Sequence, residues 1–85
     1  MAAKVLMYST RVCPYCRMAE RLLETKGVQF EKVLVDEDPV RRDEMTQRAG
    51  RTSVPQIFIG DVYVGGYMEL AGMERDGQLD TLLKY

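Results

Sequence analysis

The stretch Val12-Cys13-Pro14-Tyr15-Cys16-Arg17 stands where an apolar run gives way to a helical pattern, and it holds both cysteines of the chain. Two thiols separated by two residues can close a small disulfide, share a metal or sit idle, and the surrounding sequence must choose. Upstream, Val5, Leu6, Met7 and Tyr8 are all apolar. A short unbroken run of this kind fits a strand buried on both faces of a sheet. Downstream, Pro14 takes the place favoured by proline at a helix's first position. Met18, Ala19, Leu22 and Leu23 then recur at helical spacing, with Arg17, Glu20, Arg21 and Glu24 on the other face. Gly27 supplies the stop.

Working outward, Gln29 to Val35 reads as a second strand, which completes a strand–helix–strand unit whose parallel pairing would be right-handed. Asp36-Glu37-Asp38-Pro39 combines an acidic first turn, an Asp cap and a proline at the first helical position, and predicts a helix to about Ala49 with Gly50 as its stop. The apolar face of that helix is thin (Val40, Met45, Ala49), so it should lie on the outside. Val54–Ile59 and Val62–Val64 form a hairpin through Gly60-Asp61. Pro55 cannot donate to a ladder and belongs at the strand's first residue or on an unpaired edge. Gly65-Gly66 ends the hairpin, Tyr67 to Arg75 reads as a helix, and Leu79, Leu82 and Leu83 mark a last short one. The order β-α-β-α-β-β-α, with that tail, defines an α/β fold: a four-stranded mixed sheet flanked by helices, one domain over residues 1–85.

Eighty-five residues suffice for a single modest core. A formal net charge of −1 gives no electrostatic case for nucleic acid or a membrane surface. The apolar stretch within Met1–Tyr8 is too short for a signal peptide and is interrupted by Ser9-Thr10-Arg11; no later run could span a bilayer. A reducing cytoplasm is therefore the expected compartment, and there a cysteine pair is more often catalytic or metal-binding than structural.

A mononuclear zinc site wants four Cys or His ligands, whereas this chain has two cysteines and no histidine. A structural disulfide across two residues would remove little chain entropy. The catalytic reading has a mechanism. Cys13 falls at or just before a helix N-terminus, where unpaired N–H groups and the helix dipole favour a thiolate, and Arg11 and Arg17 add positive charge. Cys16, one turn into the helix, is placed to attack a mixed disulfide formed on Cys13.

Tyr8-Ser9-Thr10-Arg11-Val12-Cys13-Pro14-Tyr15-Cys16, then Ser53-Val54-Pro55-Gln56-Ile57-Phe58-Ile59, then Gly65-Gly66-Tyr67 together resemble the dithiol glutaredoxins, the small bacterial type most closely. The resemblance covers nearly the whole chain and implies the thioredoxin fold. It implies a glutathione-dependent thiol–disulfide oxidoreductase with Cys13 and Cys16 catalytic, glutathione as co-substrate, and no metal or tightly bound cofactor. Disulfide-containing or glutathionylated proteins would be its partners, without nucleic acid or membrane, and a monomer is expected.

By the same resemblance Pro55 matches a cis-proline facing the cysteines, and the backbone of Val54, after Ser53, would pair with the cysteine residue of glutathione. Gly66, Tyr67 and Met68 match the helix start that receives the γ-glutamyl carboxylate. Pro14 and Tyr15 border the groove, and Arg11 and Arg42 are candidate contacts to glutathione. Many members carry Asp or Ser where Met68 stands and Lys where Thr10 stands. Two alternatives are a [2Fe–2S] carrier dimer bridged through Cys13 and glutathione, against which Pro14 speaks, and a glutaredoxin-like protein reduced by thioredoxin reductase.

Overall fold

The structure is a computed structural model that describes residues 4–83. The part of the N-terminal reading that concerns Met1–Ala3 lies outside the described residues.

Eight elements follow one another: β1 (Val5–Ser9), α1 (Pro14–Thr25), β2 (Phe30–Leu34), α2 (Pro39–Ala49), β3 (Gln56–Ile59), β4 (Val62–Gly65), α3 (Tyr67–Arg75) and α4 (Gln78–Leu83). The sheet order is β2-β1-β3-β4, with β1 parallel to β2 and antiparallel to β3, and β3 antiparallel to β4. The α/β expectation of a four-stranded mixed sheet therefore holds. Central position explains the unbroken apolar run of β1. Val5 and Met7 enter one core with Ala19, Leu23, Ile57, Ile59, Leu70 and Leu79, while Tyr8 enters the other with Val33, Met45 and Phe58. Successive residues of a strand point to opposite faces, so a strand covered on both sides is apolar throughout.

The strand before the hairpin is shorter than expected. It begins at Gln56, and Pro55 precedes the ladder instead of opening it. β3 is paired on both sides, by β1 and β4, so no ladder position there tolerates a missing N–H. In α1 the buried residues are Cys16, Ala19 and Leu23, while Met18 is exposed and does not join the core stripe. Cys16 lies on the buried stripe with Ala19 and Leu23, and Met18 lies off it.

Helix α2 is held by one buried apolar anchor and a set of polar contacts. Met45 is its only buried residue. The Tyr8 hydroxyl, at the end of a fully buried side chain, donates to the Glu44 carboxylate and accepts from Arg48 Nη1 at 2.9 Å. The Arg48 guanidinium also lies over the Phe58 ring, 4.2 Å from its centroid, and Arg41 Nε binds Glu44 at 3.2 Å. Asp38 caps the helix through the Arg41 N–H at 3.2 Å, and Gly50 closes it in the left-handed region, at φ 72°. Asp36 and Glu37 precede the helix and lie outside its first turn.

Candidate active site

Cys13 is the N-cap of α1, with extended backbone (φ −159°), and its Sγ accepts the N–H of Cys16 at 3.1 Å. Pro14 follows as the first helical residue and has no N–H to leave unpaired. The two cysteines are joined as a disulfide, with Cα atoms 5.1 Å apart. The structure thus shows the oxidised state of a dithiol. The two sulfurs differ in access: Cys16 is fully buried against the core, and Cys13 is half-buried.

Opposite Cys13, the Val54–Pro55 peptide is cis, and the Val54 carbonyl oxygen lies 3.9 Å from Cys13 Sγ. Gln56 holds this segment in place. Its buried amide donates to the Ser53 carbonyl at 3.0 Å and to Ser53 Oγ at 3.3 Å, and its Oε1 accepts from the Tyr63 hydroxyl at 2.6 Å. A polar residue in the apolar run Val54-Pro55-Gln56-Ile57-Phe58 was the one sequence signal for this role.

The third wall is the start of α3. Gly66 caps the helix, and its N–H donates to Glu69 Oε1 at 2.9 Å. Gly65, the last residue of β4, sits at φ 113°, a backbone conformation that favours glycine, and Glu69 Oε1 occupies the space beside it. Tyr15 and Tyr67 approach across the gap between the two helix starts, ring centroids 6.3 Å apart.

These walls enclose a groove of about 180 Å³ that brings together Tyr15, Ser53, Val54, Pro55, Gly66, Tyr67 and Met68. Arg51, Gln56 and Glu69 line it as well and were not among the residues expected from sequence. Cys13, Cys16, Arg11, Pro14 and Arg42 lie outside its lining, Cys13 Sγ reaching it only through the Val54 carbonyl at 3.9 Å. Arg11 binds Asp36 through Nε at 3.3 Å and reaches Glu37 at 4.0 Å. Burial pushes the Asp36 carboxyl up, but the Arg11 backbone and side-chain hydrogen bonds outweigh it and leave the pKa below the ordinary value. Arg17 is paired with Glu20 at 2.9 Å and donates to the Thr10 carbonyl at 3.1 Å. Both positive charges expected to act on Cys13 are thus already matched by acids. The nearest stabilisation for a Cys13 thiolate is the helix N-terminus itself. Arg42 donates to the Thr52 carbonyl at 3.3 Å.

A buried and an accessible cysteine at a helix start, faced by a cis-proline, on a mixed sheet flanked by helices, define the class: a thioredoxin-fold dithiol oxidoreductase. Comparison with known proteins resolves the family. The glutaredoxin family model matches residues 5–64. Glutaredoxin 3 of Escherichia coli is 45% identical over 82 residues, covering 96% of this chain and 99% of the relative. The solution structure of a glutaredoxin from Brucella melitensis superposes with a TM-score of 0.86 at 44% identity, covering 98% of this chain and 90% of the other. A crystal structure of a buckwheat glutaredoxin–glutathione complex superposes with a TM-score of 0.88 at 25% identity, covering 96% and 77%. The chain belongs to the glutaredoxin family, glutathione-dependent disulfide reductases with a dithiol Cys-x-x-Cys active site.

Proposed function

We propose that Cys13 is the attacking sulfur and Cys16 the resolving sulfur of a glutathione-coupled cycle. The observation that carries this division of labour is the difference in access, with Cys13 reachable at the helix cap and Cys16 fully buried one turn on. In the reduced protein the Cys13 thiolate attacks the glutathione sulfur of a protein–glutathione disulfide. The protein sulfur leaves as a thiolate, and glutathione stays on Cys13. A second glutathione thiolate then attacks that mixed disulfide, freeing Cys13 and forming glutathione disulfide. With a protein disulfide as substrate, the Cys13 thiolate attacks one protein sulfur and the other leaves as a thiolate. The Cys16 thiolate then attacks Cys13 Sγ and expels the bound protein sulfur as a second thiolate, and the resulting Cys13–Cys16 disulfide is reduced by two glutathiones, which leave as glutathione disulfide.

The groove supports glutathione as the co-substrate. Its Val54 backbone segment lies beside Cys13 Sγ, where an extended peptide can pair, and the α3 start offers N–H groups to a carboxylate. The buckwheat relative, of the same fold, was solved with glutathione. Ser53, Val54, Pro55, Tyr15, Gly66, Tyr67 and Met68 are the contacts this reading assigns from inside the groove; Arg11, Pro14 and Arg42 would act from its margins. The cycle needs no metal or tightly bound cofactor. It suits a monomer in a reducing compartment such as a bacterial cytoplasm.

The test is trapping. Cys16→Ser exposed to glutathione disulfide should acquire one glutathione per chain by mass spectrometry, keep deglutathionylation and lose dithiol reduction of protein disulfides. Cys13→Ser should acquire none and lose all transfer. Glutathione carried by the Cys13→Ser protein on Cys16, with activity retained, would reverse the assignment.

A further inference from the structure

Tyr63 stands on β4 and does not line the groove, yet its hydroxyl is connected to it. The hydroxyl donates to Gln56 Oε1 at 2.6 Å. Gln56, 1% exposed, passes the contact on, its Nε2 donating to the Ser53 carbonyl at 3.0 Å and to Ser53 Oγ at 3.3 Å. We propose that Tyr63 is a positioning residue for glutathione, acting through Gln56 on the Ser53–Val54 peptide that receives the cysteinyl residue of the tripeptide. The proposal rests on the glutathione reading above and deepens it.

Three observations carry it. Residues 51–55 belong to no helix or strand, and among the described residues no backbone–backbone hydrogen bond outside those elements involves them. Side chains hold their carbonyls instead: Arg42 Nη2 donates to that of Thr52 at 3.3 Å, and Gln56 to that of Ser53. The Ser53 carbonyl shares one planar peptide with the Val54 N–H, and that peptide is trans, so the two point in opposite directions. A donor fixed on the Ser53 carbonyl therefore turns the Val54 N–H away from Gln56 and sets the direction from which a ligand carbonyl must meet it.

The Gln56 amide, moreover, can lie only one way round. A carbonyl accepts and never donates, so Ser53 demands the NH2 end and leaves Oε1 for the Tyr63 hydroxyl. Without that hydroxyl a buried acceptor loses its donor, which is unfavourable, and the amide is freed to turn from Ser53.

Finally, the Tyr63 ring has a seat of its own. It lies opposite Phe58 on the neighbouring strand, ring centroids 5.1 Å apart, so Tyr63→Phe should remove the hydroxyl and keep the packing.

The test compares pre-reduced wild type and Tyr63→Phe on two mixed disulfides of one fluorescent reporter peptide. One carries glutathione; the other carries 2-mercaptoethanol, which has no peptide group to pair with Val54. Tyr63→Phe should react with the glutathione compound about two- to tenfold more slowly than wild type, the range expected for one neutral hydrogen bond. The two proteins should react alike with the mercaptoethanol compound. By NMR, the side-chain NH2 protons of Gln56 should exchange with solvent faster in Tyr63→Phe than in wild type.

Equal losses on both compounds would show a hydroxyl that only braces the sheet and would overturn the proposal. So would rates unchanged on both. A selective loss with unchanged exchange at Gln56 would overturn the route through that amide. A wild-type protein that reacts no faster with the glutathione compound than with the mercaptoethanol one would instead overturn the glutathione reading itself, and the role of Tyr63 with it.

Discussion

The backbone N–H of Cys16 points at Cys13 Sγ from 3.1 Å. The bond exists because Cys13 is the N-cap of α1 and Pro14 starts the helix, so the sulfur takes the acceptor role that Ser or Asp usually fills there. In the reduced protein the same donor, with the helix dipole behind it, faces whatever charge the sulfur carries. An anion is favoured over a neutral thiol. Arg11 and Arg17 contribute less, since each already has an acidic partner.

Reduced Cys13 should therefore ionise below the ordinary thiol value of about 8.5, within the range of roughly 3.5–7.5 known for helix-terminal cysteines. The rate of alkylation by iodoacetamide against pH, with mass spectrometry to locate the label, reads the midpoint directly. Arg11→Gln should move that midpoint little. A midpoint at or above the ordinary value, or one displaced mainly by Arg11→Gln, would mean that the helix terminus is not the source.

Tyr8→Phe should destabilise the fold through α2. The change removes a hydroxyl that serves Glu44 and Arg48, at a cost of about 1–3 kcal/mol. For a domain of this size each kcal/mol lowers Tm by about 4–8 °C. The Tyr8 hydroxyl hydrogen bond, opposed by desolvation and aided by the Arg41 charge, holds the Glu44 carboxyl below its ordinary value of 4.5. A depressed folded-state pKa stabilises above the unfolded value, and that stability is lost as pH falls through the folded one. On acidification below about pH 4.5 the wild-type Tm should fall more steeply than that of Tyr8→Phe. Parallel curves would contradict the coupling.

Met45→Ala should cost about 2–5 kcal/mol in urea denaturation, because Met45 is the only buried residue of α2 and is fully enclosed. Val40→Ala, on the same helix but 74% exposed, should stay within about 0.5 kcal/mol of wild type. Equal losses at both positions would show that α2 is not anchored as described.

Much of this architecture is legible in the chain, because its punctuation is physical. Pro14 and Pro39 open helices, Gly50 closes one in the left-handed region, and the apolar run of β1 marks a strand covered on both faces. Periodicity misplaced Met18 because it counted that methionine as core and gave the position no competitor. The stripe instead passes through Cys16, which is fully buried and disulfide-bonded to Cys13. Gln56 looks like an outward-facing polar residue, yet it is buried in a strand paired on both sides. Arg51 and Glu69 lie 18 residues apart in sequence, and the tertiary fold brings them to one groove. Convergence of that kind leaves no local pattern to read.

A coupled NADPH assay on a glutathionylated peptide tests most directly whether Cys13 works with glutathione. With glutathione and glutathione reductase, the wild-type protein and Cys16→Ser should both turn over, and Cys13→Ser should fall to the uncatalysed rate. With thioredoxin reductase in place of that pair, none of the three should consume NADPH above background. Turnover supported by thioredoxin reductase alone, or undiminished in Cys13→Ser, would contradict the account.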